Sequence, residues 1–249
     1  YPALADLPVI IGESDPEGCA ACSVKDNPHN AYRNGTLYSS YTAASFPRKL
    51  ELADRSGAQL LGAVTWAFEF EDQPWFAGFR SLATNGIAKP VLNVFRMFGM
   101  MSGHRVAVSG GTGYDALRIV EGGVRGAPDI DAFAARDGGT ATVLLWNYHD
   151  DDLPADPAAV TVTIDGIPAG RVLLHHYRID RDHSNAYEAW KRMGSPQEVS
   201  PEQYAELERA SELALLESPR WLDVAGGTLA LPMTLPRQGV SLLRLTWSE

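Results

Sequence analysis

The hydrophobic rhythm of this 249-residue chain changes near residue 104, and that change limits the possible folds more than any single motif does. Before it, two apolar runs, Leu7-Pro8-Val9-Ile10-Ile11-Gly12 and Leu60-Leu61-Gly62-Ala63-Val64-Thr65-Trp66-Ala67-Phe68, alternate with segments of helical period. Short unbroken apolar runs bounded by Gly or charge predict strands buried on both faces. Between them, residues 36–54 place Leu37, Tyr41, Ala44, Leu50 and Ala53 near helical spacing, with Gly57 as a stop and Pro47 expected to kink or split the helix. A second helix is expected from Pro90, a residue suited to a first turn, to Met101; its Phe95, Met97, Phe98, Met100 and Met101 read as packing against strands, not as a cofactor box. Strand, helix, strand, helix predicts parallel pairing in an α/β layer.

Beyond residue 104 short alternating segments follow one another, separated by Gly, Pro and Asp clusters. They are Arg105–Ser109, Ala116–Glu121, Ala132–Ala135, Ala141–Tyr148, Val160–Ile164 and Arg171–Ile179, with Gly239–Leu245 as a closing strand. That pattern predicts an antiparallel β-sandwich. One helix, Pro201–Leu216, interrupts it, with Ser200 as N-cap and Gln203 at capping-box distance. The chain has no internal repeat and no low-complexity tract.

With 45% of residues apolar and 21% charged, the chain can bury a core large enough for one large domain or two smaller ones. A formal charge of −10 would on average repel nucleic acid and acidic membranes, so neither is expected as a partner. No run reaches the roughly 18 apolar residues of a membrane-spanning helix, and Tyr1-Pro2-Ala3-Leu4-Ala5-Asp6 lacks a signal-peptide pattern. Neither observation indicates a compartment. A start at Tyr followed at once by a strand pattern leads to the expectation that an upstream portion exists. The two cysteines, Cys19 and Cys22, are too few for a disulfide scaffold; they read as loop thiols or one local bridge in preference to a redox pair or half a zinc site. His175, His176 and His183, or His149 with Asp150–Asp152, lack a recognised ligand spacing, so no metal or cofactor is expected. Ser109-Gly110-Gly111-Thr112-Gly113 lacks the lysine and helix of a phosphate loop and reads as a turn.

The chemistry gathers where the two parallel strands end. Glu13 follows the first; Glu69, Glu71 and Asp72 follow the second, among the rings of Trp66, Phe68, Phe70, Trp75, Phe76 and Phe79. In a β/α barrel the C-terminal strand ends form the catalytic rim. Carboxylates beside flat apolar rings suit a sugar, whose C–H face stacks while its hydroxyls donate to oxygen. Glycoside hydrolysis needs two carboxyl groups flanking the scissile bond. Glu13 is therefore the candidate catalytic residue, and Trp66, Glu69, Glu71, Asp72, Trp75 and Phe76 the candidate substrate-binding residues. The bland alternatives are a solvated strand-end carboxylate and a solvated loop beside a core tryptophan.

The ordered series Val9-Ile10-Ile11-Gly12-Glu13-Ser14-Asp15-Pro16, Thr65-Trp66-Ala67-Phe68-Glu69-Phe70-Glu71-Asp72, Phe76-Ala77-Gly78-Phe79 and Lys89-Pro90-Val91-Leu92-Asn93 resembles glycoside hydrolase family 39, the β-xylosidases and α-L-iduronidases. The resemblance continues through Leu144-Leu145-Trp146-Asn147-Tyr148, His176-Tyr177-Arg178-Ile179-Asp180 and His183-Ser184-Asn185-Ala186-Tyr187, and so covers essentially the whole chain. It implies the last two β/α units of a TIM (β/α)8 barrel over residues 1–103, followed by an antiparallel β-sandwich domain over 104–249. It implies Glu13 as nucleophile of a retaining β-xylosidase, with Trp66, Glu71 and Asp72 lining the sugar subsite and Glu69 as the alternative to Glu71. The implied partner is xylose or a xylooligosaccharide. The family's acid/base glutamate lies in an Asn-Glu-Pro motif that this sequence lacks, which implies that a missing N-terminal barrel segment supplies it and that this chain alone is inactive. The rival readings are an α-L-iduronidase-like or α-L-arabinosidase-like hydrolase, and a non-catalytic carbohydrate-binding or packing sandwich. An iduronidase must bind a substrate carboxylate, and Arg80 is the nearby basic candidate.

Overall fold

The computed structural model describes Leu4 and residues 6–248 of the chain. Residues 1–3 and 5, part of the segment read for a signal peptide, lie outside the described residues.

Strand β1 (Val9–Ile11) pairs in parallel with β2 (Leu60–Ala63), matching Val9 with Leu60, Ile10 with Gly62 and Ile11 with Ala63. The crossover between them is α1 (Thr36–Ser56), which ends on Gly57 at φ 72°, where the cap N–H reaches the Ala53 carbonyl. Glycine takes this left-handed conformation without a Cβ penalty. A 3-10 helix over Pro28–Asn34 leads into α1, capped by the Asn27 side chain. The expected split at Pro47 does not occur: α1 is one 21-residue helix, held on its inner face by Ala43, Ala44 and Arg48. Tertiary packing offsets the roughly 3 kcal/mol that an interior proline costs.

The second strand is shorter than its apolar run. β2 stops at Ala63, and residues 65–72 continue as irregular chain. Nor are these strands buried on both faces, because Ile10 is 65% and Leu61 67% exposed. The pair has α1 as its crossover, and the described residues form no closed barrel around it. A tight hairpin follows, β3 (Ala83–Thr84) and β4 (Ile87–Ala88), turning at Asn85-Gly86 with positive φ at both residues. Asn-Gly is the favoured pair for such a turn. It delivers the chain into α2 (Pro90–Gly99).

The remainder forms two antiparallel sheets. One has six strands in the order β10–β9–β12–β7–β6–β5, where β5 is His104–Val106, β6 Asp129–Asp137, β7 Thr140–Tyr148, β9 Arg171–Ile179, β10 Arg220–Asp223 and β12 Val240–Thr246. The other pairs β8 (Ala158–Ile164) with β11 (Leu229–Leu235). The predicted closing strand, β12, lies at the centre of the sheet, between β9 and β7. Consecutive residues explain why: Leu243 and Leu245 enter the core shared with β8 and β11, while Leu242 and Val240 pack on the opposite face with Ala43 and Ala44 of α1 and Val94 and Met97 of α2. A strand apolar on both faces belongs inside a layered structure.

Residues 116–121, expected as a strand, form α3 (Ala116–Gly122), because Asp115 caps it by accepting from the Arg118 N–H. Its Leu117 and Val120 are exposed, so their spacing records no core contact. Two further helices, α4 (Ala186–Arg192) and α5 (Pro201–Ser211), pack on each other beside β4. Ser200 and Gln203 form the predicted capping box at the start of α5, which ends earlier than its sequence pattern suggests. Arg48 of α1 grips Asp129 of β6 with two bonds of 2.8 and 2.7 Å, and the Trp146 indole donates to the same carboxylate at 3.0 Å.

Candidate active site

The site is assembled where the chain leaves β1 and β2. The parallel ladder continues past both strands: the Val64 N–H donates to the Ile11 carbonyl at 3.0 Å, and the Ser14 N–H to the Val64 carbonyl at 2.8 Å. Glu13 is thereby carried to the C-terminal end of the pair with its side chain 53% exposed. Asp15, two residues on, is fully engaged. One carboxylate oxygen accepts from the Tyr38 hydroxyl at 2.9 Å and from the Thr65 hydroxyl; the other accepts from the Trp66 N–H at 3.2 Å. Burial, reinforced by the Asp15 charge and opposed by the Thr65 contact, leaves the Tyr38 phenol above its ordinary range, so it stays a donor.

Arg80 ties these groups together. Its guanidinium is 2% exposed; Nη2 lies 2.9 Å from Glu13 Oε2 and 3.6 Å from Asp15 Oδ2, Nε donates to the Trp66 carbonyl at 3.1 Å, and Nη1 donates to the Glu17 carbonyl. Glu13 and Trp66 therefore share one arginine. Trp66, 56% exposed, and Phe68, 62% exposed, have open rings on the chain that leaves β2, and the Trp66 backbone is held by the same Arg80. The arrangement suits a carboxylate that attacks an electrophilic carbon: the oxygen is accessible, its charge is balanced, and its support is a buried, hydrogen-bonded cation.

A second arginine stabilises the loop below. Arg33, buried, donates to the Glu17 carboxylate at 2.8 Å and to the carbonyls of Cys19 and Cys22 at 3.3 and 3.0 Å. Burial alone would raise the Glu17 pKa, but hydrogen bonds from Tyr32 and Arg33 and the Arg33 charge outweigh it and lower the value. Cys19 and Cys22 form a disulfide, resolving the alternatives left open by their spacing. Lys89, at the start of α2, is 1% exposed and donates to the Phe79 carbonyl at 2.9 Å; burial, then the Arg33 charge, pushes its pKa down to about 7.

The other sequence candidates scatter along the chain after Trp66. Glu69 is half-buried and accepts from the Gly86 N–H of the Asn-Gly hairpin at 2.9 Å. Glu71 and Asp72 lie exposed in a turn, with Asp72 at φ 54°, and among the described residues their side chains make no hydrogen bond to the Glu13 group. Trp75 is half-buried against Phe76 and Tyr204, and its N–H is held by Gln197. Phe76 requires a correction. It is 3% exposed, with its ring packed at a tilt against Tyr187 and Trp190, so it belongs to a core cluster and presents no face to a ligand. Asp15, Thr65 and Tyr38 were missed as site residues. Asp15 carried a signal, a second carboxylate at the same strand end, whereas nothing local marks Tyr38.

His149 accepts from the Asp151 N–H and contacts the Gly126 carbonyl, His176 meets Ser241 Oγ, and His183 meets Asp180; each is tied into a turn or strand by its neighbours.

Comparison with known proteins gives the family. The chain is 28% identical over 140 residues to a β-xylosidase of Caldicellulosiruptor saccharolyticus, covering 56% of this chain and 26% of that protein. Its fold is similar to the glycoside hydrolase family 39 enzyme of Xanthomonas axonopodis pv. citri, with TM-score 0.73 and 19% identity over 97% of this chain and 45% of that one. It is also similar to a bacterial orthologue of human α-L-iduronidase, with TM-score 0.75 and 18% identity over all of this chain and 43% of that one. The chain thus spans about a quarter of the curated relative and under half of the solved structures. The model for glycosyl hydrolases family 39 matches residues 1–228, and with the strand-end carboxylate it covers, this chain belongs to that family.

Proposed function

We propose that Glu13 is the nucleophile of a retaining glycosidase that releases xylose from the non-reducing ends of xylooligosaccharides. The observation carrying this reading is the exposed Glu13 carboxylate at a parallel strand end, held by buried Arg80, which also holds the backbone carbonyl of exposed Trp66. Glu13 attacks the anomeric carbon, the leaving oxygen takes a proton from a general acid, and water then releases the sugar from the glycosyl-enzyme. Trp66 forms a wall of the subsite, and Glu69, Glu71, Asp72 and Trp75 face the sugar from the following loop.

Asp15 cannot supply the general acid, since both its oxygens are occupied and its side chain is 2% exposed. The acid/base glutamate is proposed to come from a barrel segment outside this sequence, which would also cover Ile10 and Leu61. Residues 1–103 then form the last two β/α units of a TIM barrel and 104–249 the sandwich domain, and the chain alone is inactive. Arg80 supports a neutral sugar over a uronide: its contacts with Trp66, Glu17, Glu13 and Asp15 leave no free two-pronged face for a substrate carboxylate.

In the enzyme containing the whole barrel, Glu13→Ala should lose turnover by at least about 10⁴-fold, and added azide should restore product as the glycosyl azide of inverted configuration. Near-normal turnover in that variant would remove Glu13 from the role. Comparing aryl xyloside, arabinoside and iduronide as substrates decides the sugar, with xyloside expected to be fastest.

A further inference from the structure

The Glu17–Cys22 loop turns its carbonyls inward onto two arginines that are each 2% exposed. Arg80 takes the Glu17 carbonyl through its side chain and the Ala20 carbonyl through its backbone N–H at 3.0 Å. Arg33 takes the carbonyls of Gly18, Cys19 and Cys22. Ala20 lies inside the turn closed by the Cys19–Cys22 bond, and the Cys22 N–H also returns to the Cys19 carbonyl at 3.2 Å. Cys19 holds φ 46°, a left-handed conformation that non-glycine residues rarely adopt unless something fixes it. The loop is therefore a cross-linked turn whose Ala20 carbonyl holds the Arg80 backbone, while the Glu17 carbonyl, two residues before the bond, holds the guanidinium that contacts Glu13. Cys19 is exposed and Cys22 half-buried, so an outside thiol can reach the bond.

We infer that the Cys19–Cys22 disulfide is a thiol-sensitive clamp that positions Arg80, and through it Glu13, so that reduction lowers turnover reversibly. This rests on Glu13 being the nucleophile. The reductant is a small dithiol: its thiolate attacks Cys19 Sγ and expels the Cys22 thiolate, and its second thiolate then displaces Cys19, leaving two protein thiols and one oxidised, cyclic dithiol. Without the cross-link the turn is free to leave its left-handed conformation, and the carbonyls that locate Arg80 move with it. Arg80 and the disulfide are positioning elements; neither touches the substrate.

The test has two arms. In this chain, hydrogen exchange at the Arg80 and Ala67 amides, which are bonded to Ala20 and Arg80 carbonyls respectively, is followed before and after dithiothreitol and again after reoxidation. Exchange should speed up about tenfold on reduction and recover on reoxidation. In the enzyme with the whole barrel, dithiothreitol should lower kcat about tenfold with little change in KM, in line with the large rate cost of ~1 Å misplacements. Cys19→Ser/Cys22→Ser should start at the reduced level and ignore the reagent, and Arg80→Lys should retain more kcat than Arg80→Met. Unchanged exchange on reduction, or a double serine variant that still loses turnover in dithiothreitol, overturns the clamp. Loss of the Glu13 role would instead appear as an active Glu13→Ala enzyme, whatever the exchange arm shows.

Discussion

Arg80 and Glu13 meet at 2.9 Å with opposite exposures: the guanidinium is 2% accessible and the carboxylate 53%. A buried cation reaching outward to an open carboxylate leaves that carboxylate free on its other side. The same arginine compensates Asp15, which is itself 2% exposed, so Arg80 links the stability of the loop to the chemistry at its rim.

Removing Arg80 should therefore destabilise the fold as well as the site. Arg80→Met leaves the buried Asp15 carboxylate without its cation, and breaking a buried pair from one side typically costs about 3–5 kcal/mol. The double variant Arg80→Met/Asp15→Asn should recover much of that loss in urea unfolding. Strictly additive losses would show that the two residues are not coupled.

The pair joining α1 to the six-stranded sheet makes a larger claim. Asp129 has no exposed side-chain area and binds both Arg48 and the Trp146 indole. Asp129→Ala should cost about 3 kcal/mol, because the buried guanidinium loses its two short carboxylate bonds and keeps only longer carboxylate contacts, with Asp131 at 3.8 Å and Glu51 at 4.0 Å. Near-ultraviolet circular dichroism of Trp146 should change at the same time. Replacing both partners with apolar residues should cost less than Asp129→Ala.

His176 should make the protein acid-sensitive. Burial, then the charges of Arg178, Arg220 and His183, lowers its pKa from 6.5 to about 4, while its Nε2 meets Ser241. Between those values the unfolded chain binds a proton that the folded chain refuses, so this contribution to stability is full above pH 6.5 and is lost as pH falls toward 4. The upper bound is on the order of 3 kcal/mol. Urea midpoints measured from pH 7 to 4 should fall less steeply in His176→Gln; equal slopes would remove His176 as the cause.

Ser200→Ala tests the α5 capping box. The Ser200 hydroxyl accepts from the Gln203 N–H at 3.3 Å and the Gln203 side chain accepts from the Ser200 N–H at 3.0 Å. Its loss should cost about 1 kcal/mol. The melting temperature should drop by a few degrees, with Ser200→Asp close to the parent.

Local patterns made much of the architecture readable. Gly57 ended α1, Pro90 opened α2 and Ser200 with Gln203 opened α5, because caps and stops act within one turn of the residues that carry them. Periodicity located β7 and β9 almost to the residue, and the apolar run before Glu13 placed that carboxylate at a strand end. Periodicity failed at residues 116–121, where the Asp115 cap overrode it, and nearness in sequence to the strand-end carboxylates misled at Phe76, whose ring is buried by α4 residues distant in sequence.

The sequence by itself determined several helix caps and stops, the extent of β7 and β9, and the chemical identity of the strand-end carboxylate, because each depends on neighbours within a few residues. Only the tertiary structure decided that Arg80 serves Glu13 and Asp15, that β12 lies at the centre of its sheet, and that Ser40 bonds Gln238 across 198 positions. Those contacts join groups that no local period relates, and burial away from water is what makes each of them strong enough to specify the site.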